Sequence, residues 1–114
     1  MNNHFNLEIQ LSAFWEIRMA DKNIKSHHAM LYINLLLKWR KQKDNPVLHI
    51  TSTEMCYESN LGNRSNYFRY MRELLEWGYL RSYRKGTNGA TVEMKFLYDP
   101  VGLHIVSLPR TKSS

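Results

Sequence analysis

Arg64, Ser65, Asn66, Arg69 and Arg72 form one short run of side chains able to hydrogen-bond nucleic-acid bases or phosphates. A guanidinium offers paired N–H donors that match the O6 and N7 acceptors of guanine, and a carboxamide matches the donor and acceptor of adenine. Wound at the helical step of about 100° per residue, the run sorts by chemistry. Ser65, Asn66, Arg69, Arg72 and Glu73 fall on one side, with Tyr70 at its flank, while Tyr67, Phe68, Met71, Leu74 and Leu75 fall on the other. Arg64 opens the helix, where unpaired N–H groups and the helix dipole favour a phosphate. Arg84 and Lys85 lie further on, beside the Gly-containing stretch Lys85 to Gly89, and from there reach flanking phosphate or minor groove. Glu73 would repel phosphate but accept from cytosine, which favours selective over generic binding.

The charge supports a polyanionic partner. The 114-residue chain carries a formal net charge of +6, and such an excess suits nucleic acid, an acidic membrane surface or an acidic protein. Six basic residues (Arg64, Arg69, Arg72, Arg81, Arg84, Lys85) face only two acids (Glu73, Glu76) between Arg64 and Lys85, so most of the excess sits in this segment.

The elements that must hold these residues can be read from pattern. Residues 1–10 show no strong periodicity. Leu11, Phe14, Trp15 and Met19 follow an amphipathic helical spacing, which Asp21-Lys22-Asn23 ends. Ser26 is placed to cap a second helix, His27 to about Arg40, whose wide apolar arc marks it as the central buried helix. Asn45-Pro46 turns into a short strand, Val47 to Ile50. Thr51 with Glu54 fits a capping box for a helix to about Ser59. Asn60-Leu61-Gly62 turns, Asn63 caps the helix Arg64 to Trp77, and Gly78 supplies its left-handed end. Tyr79 to Arg84 and Thr91 to Tyr98 read as strands joined by the loop Lys85 to Gly89, and Gly102 to Leu108 reads as one more strand before a loose tail. The division is an N-terminal segment 1–10, a domain 11–98 and a C-terminal extension 99–114, in an α+β, mainly helical fold with a small antiparallel sheet.

From about Ser12 to Leu97 the chain resembles the winged helix-turn-helix superfamily. The residues that carry the likeness are Leu61-Gly62, Ser65-Asn66, Phe68-Arg69-Tyr70, Leu74-Leu75-Glu76-Trp77-Gly78-Tyr79-Leu80 and the basic wing Arg84 to Gly89. Ala13-Phe14-Trp15, Leu31-Tyr32 and Asn45-Pro46 are similar to small winged-helix proteins of Bacteroidetes genomes and mobile elements. The resemblance implies double-stranded DNA as partner and Arg64, Ser65, Asn66, Arg69, Tyr70, Arg72, Arg84 and Lys85 as DNA-binding residues. The superfamily holds repressors, activators and replication initiators, and some members that bind only protein. Two roles therefore stay open: a sequence-specific transcriptional regulator, or an assembly module in replication or mobile-element transfer that acts through protein contacts.

Other chemistries find little support. His27 and His28 point about 100° apart on a helix and make no two-ligand face. Cys56 is a lone cysteine, excluding an internal disulfide and reading as a core residue of a reducing compartment. Glu54 and Glu58 share a face, but capping accounts for Glu54. No phosphate-binding Gly-rich loop or paired-carboxylate constellation occurs, so the expectation is a non-enzyme without metal or cofactor. Trp15 and Trp39 are expected in the core, and Trp77 against the wing or a partner. No apolar run or leader pattern suggests a membrane or secretion, so the expected location is the cytoplasm. No effector pocket or sensing domain is legible. A homodimer would double the DNA contacts, and the first helix with Val101 to Leu108 is available to form it.

Overall fold

The computed structural model describes residues 5–42, 45–99, 101 and 105. Everything packs around one helix. In chain order the elements are α1 (Leu7–Ala20), α2 (Ser26–Lys41), β1 (Val47–Ile50), α3 (Ser52–Ser59), α4 (Arg64–Glu76), β2 (Leu80–Gly86) and β3 (Gly89–Met94). Helix α2 buries His28, Leu31, Tyr32, Leu35, Leu36 and Trp39, a repeat of three and four residues that gives it one long apolar face. Helices α1, α3 and α4 all rest on it. The strands form an antiparallel sheet in the order β1-β3-β2, which turns Leu48, Ile50, Leu80, Ala90, Val92 and Met94 toward the core. The result is the α+β winged helix-turn-helix arrangement, with α3 and α4 as the helix pair, β2-β3 as the wing, and α1 as an additional N-terminal helix.

Local signals hold where they are self-contained. Thr51 and Glu54 form the capping box of α3, the Asn63 side chain accepts from the Asn66 N–H at 2.9 Å, and Asn60 and Gly78 adopt left-handed backbone at φ 54° and 88°. The wing is tighter than the expected five-residue loop. Lys85 pairs with Ala90 and Gly86 with Gly89, leaving only Thr87-Asn88 as the turn. Gly89 sits at φ 128°, and a Cβ there would lie 2.4 Å from the Ile50 carbonyl oxygen, so this crossing of β1 and β3 requires glycine.

Helix α1 departs most from expectation. It starts at Leu7 rather than Leu11, because the Asn6 side chain accepts from the Ile9 N–H at 3.0 Å and caps it there. Residues 7–10 therefore belong to α1 and not to a separate N-terminal segment. Its buried face is Gln10, Ala13 and Phe14, whereas Trp15 and Met19 are 51% and 69% exposed. Gln10 is the reason. Its amide nitrogen donates to the Tyr32 hydroxyl (2.8 Å) and the Lys95 carbonyl (2.9 Å), and its oxygen accepts from the Leu97 N–H (3.0 Å). A polar group so fully bonded is at home in a core, and it rotates α1 so that Trp15 lies outside, beneath the Arg18 guanidinium at 4.8 Å. Trp39 is buried as expected. At α2 the cap position falls on Lys25 and not Ser26. Strand β3 ends at Met94 rather than Tyr98, since Lys95 and Leu97 turn to bond Gln10. Of the strand expected at 102–108, only Ile105 is among the described residues, and it bridges Tyr98.

Replacing Gln10 with Ala should destabilise the protein by about 3 kcal/mol in urea unfolding, because two buried groups and one half-buried carbonyl lose their partner. Trp15→Ser should cost less than about 0.5 kcal/mol, as a surface change does.

Candidate nucleic-acid interface

The turn between α3 and α4 determines how α4 starts. Asn60 and Gly62 both take positive φ, Leu61 is buried, and the Asn66 amide nitrogen donates back to the Leu61 carbonyl at 2.8 Å. Asn66, expected to face a base, is thus engaged in closing the turn, and its oxygen lies 3.5 Å from Arg69 Nη2. Along α4, Tyr67, Tyr70, Met71 and Leu74 are buried, Phe68 and Leu75 are half-buried, and Arg64, Ser65, Arg69, Arg72 and Glu76 are exposed.

Two residues assigned to the outer side or its flank are drawn inward. Tyr70 is only 9% exposed. Its ring stacks on His27 at 5.5 Å, and its hydroxyl accepts from Arg69 Nη2 at 3.2 Å and lies 3.4 Å from His27 Nδ1. Glu73 folds back to His28, with Oε1 2.7 Å from Nε2. The expected contact of Glu73 with cytosine is therefore replaced by an internal bond. His28 Nδ1 accepts from the Lys25 N–H at 3.0 Å, so in the neutral ring the proton sits on Nε2 and is donated to Glu73. Burial pushes the His28 pKa below its ordinary value, a shift that Glu73 opposes and that the neighbouring Arg69 and His27 charges increase. Trp77 covers this pair, its ring 5.0 Å from that of His28.

The wing is fastened to the same helix. The Tyr67 and Tyr83 hydroxyls meet at 3.2 Å, and Lys85 Nζ lies 4.8 Å from the centre of the Phe68 ring. Burial, first of all, and then the Tyr83 contact raise the Tyr67 pKa and keep its hydroxyl neutral. Arg84 and Lys85 are exposed beside β3. Among the described residues Arg64, Arg69, Arg84 and Lys85 have no carboxylate partner, whereas Arg72 shares a long 4.0 Å contact with Glu76 and Arg81 pairs with Glu93 at 3.4 Å. The arrangement is a cationic surface built from two elements whose one inner acid is turned away.

The chain matches no family model, no curated protein and no solved structure.

The sequence reading missed a cleft at the α3–α4 junction, lined by Thr53, Cys56, Tyr57, Asn60, Gly62, Asn63 and Arg64. Tyr57 stands 87% exposed at its mouth. An aromatic hydroxyl on the polar side of so short a helix was the available signal. Burial raises the Cys56 pKa against the pull of Arg64, and its thiol donates to the Asn63 carbonyl at 3.4 Å. No three metal-ligating side chains cluster among the described residues.

The His28 imidazole should titrate below 6.5 in an NMR pH series and show the Nε2-protonated tautomer. Because its folded pKa is depressed, the associated stability is complete above about pH 6.5 and declines as pH falls through the folded value. His28→Gln should flatten that part of the stability–pH curve.

Proposed function

We propose that this protein binds double-stranded DNA in a sequence-specific manner and acts as a transcriptional regulator. The observation that supports the reading is the presence on α4 and the wing of cations without a carboxylate partner among the described residues, on elements held together by the Tyr67–Tyr83 and Phe68–Lys85 contacts. A helix about 10–12 Å across fits the major groove, about 12 Å wide. With α4 in the groove, Arg64 and Ser65 at its first turn meet the DNA first, Arg69 and Arg72 follow one and two turns along, and Arg84 and Lys85 meet flanking phosphate. Each neutralised phosphate releases counterions, so affinity falls steeply with salt. A cytoplasmic location goes with this reading. Among the described residues no helix is long and apolar enough to cross a membrane.

A second reading, an assembly module acting on protein, draws on the exposed Trp15, Met19, Met30 and Leu37 of α1 and α2. The two readings meet if α1 pairs two copies on a palindromic site.

Selection from a pool of random duplex DNA, with salt titration, should enrich one motif, and a palindrome would report a dimer. Arg69→Ala combined with Arg84→Ala should weaken binding to that motif by roughly tenfold or more. Unchanged affinity would turn the reading toward a protein partner.

A further inference from the structure

On the DNA-binding reading above, we propose that Arg69 reads a guanine and that Tyr70 and His27 are the residues that position it. Reading a guanine edge requires a planar donor fork at a defined angle, whereas a phosphate accepts a guanidinium from many directions. The arginines of α4 and the wing differ in how firmly they are held. Arg69 Nη2 donates to the Tyr70 hydroxyl at 3.2 Å, and its Cζ lies 4.7 Å from the centre of the Tyr70 ring. Tyr70 is in turn braced by His27, stacked at 5.5 Å, and by His28, edge-on at 4.8 Å. Asn66, itself anchored to the Leu61 carbonyl, makes only a longer contact with the same Nη2 at 3.5 Å. The support that orients this guanidinium therefore comes through Tyr70 from the start of α2.

The donor count leaves the required edge open. Tyr70 takes one Nη2 hydrogen. The Asn66 contact, at 3.5 Å, is the weaker one. When it yields, the second Nη2 hydrogen stands beside a hydrogen of Nη1 or Nε, two parallel donors for O6 and N7. Two other polar groups on this side are engaged elsewhere, Asn66 with the turn and Glu73 with His28, while Ser65 is exposed and Arg72 shares a long contact with Glu76. Arg64, Arg84 and Lys85 are exposed and have no acceptor holding them among the described residues, which suits charge neutralisation.

The test compares the motif selected by the wild-type protein with those selected by Arg69→Lys and Tyr70→Phe, together with affinities for the motif and for unrelated duplex. Lysine keeps the charge and removes the fork. The wild type should select guanine at a fixed position. Arg69→Lys should lower the preference for that guanine by about 5- to 100-fold, a larger loss than any it causes in binding to unrelated duplex, because the charge is kept. Tyr70→Phe retains the ring and should lose part of the same preference, with its unfolding midpoint measured alongside. A purely structural role for Tyr70 would weaken all sequences equally, and that result would overturn its assignment. An unchanged motif in Arg69→Lys would overturn the assignment of Arg69 while leaving DNA binding intact. If the wild type bound no duplex at low salt, the DNA-binding reading itself would fall.

Discussion

The contact between the buried His28 and the half-buried Glu73 governs how this molecule presents itself. It joins the start of α2 to the last turn of α4 and so restricts the rotation of α4 about its axis. That rotation carries Tyr70 inward, places Trp77 over the histidine, and leaves the arginines outside. It also removes a carboxylate from the outer surface without removing it from the sequence. A buried histidine facing an acid is costly to break, since either partner alone would be left unsatisfied. The positive surface of α4 is therefore a property of how the helix packs as much as of its composition.

The wing depends on a different kind of fastening. Helix α4 and strand β2 meet through aromatic rings, with Tyr67 against Tyr83 and Phe68 beneath Lys85. Such contacts combine apolar burial with a directional polar end. The two-residue turn gives the wing little freedom of its own. Arg84 and Lys85 are thus carried on a short, stiff hairpin whose angle to α4 is set by side chains, so that the cations on the two elements keep a defined separation.

Much of the fold was legible because its signals are local. Thr51 with Glu54, Asn63 and Gly78 each act on backbone within a few residues, and each helix end they predict is present. Helix α1 was misread because its burial is decided by groups more than eighty positions away. No periodicity announces that Gln10 will be met by Lys95 and Leu97, and without that knowledge Trp15 is the natural core residue. The candidate surface divides in the same way. Winding the helix placed the arginines on the exposed side. It could not foresee that Asn66 would close the turn, or that His27 and His28 would claim Tyr70 and Glu73.

The fastening of α1 bears on the order in which the chain can fold. The Asn6 N–H donates to the Tyr98 hydroxyl at 3.0 Å, and Gln10 bonds the backbone just before it. During synthesis Asn6 and Gln10 precede by more than eighty residues the segment that supplies their Lys95, Leu97 and Tyr98 partners, while the Tyr32 hydroxyl comes from the next helix. The loop to be closed spans almost the entire domain, and contacts of that separation form late. The packing of α1 on α2, with Phe14 stacked on Tyr32, is local and needs no later segment, whereas the hydrogen bonds of Gln10 to Lys95 and Leu97 must await the chain after β3. Helix α1 is thus made before the segment whose hydrogen bonds fasten it.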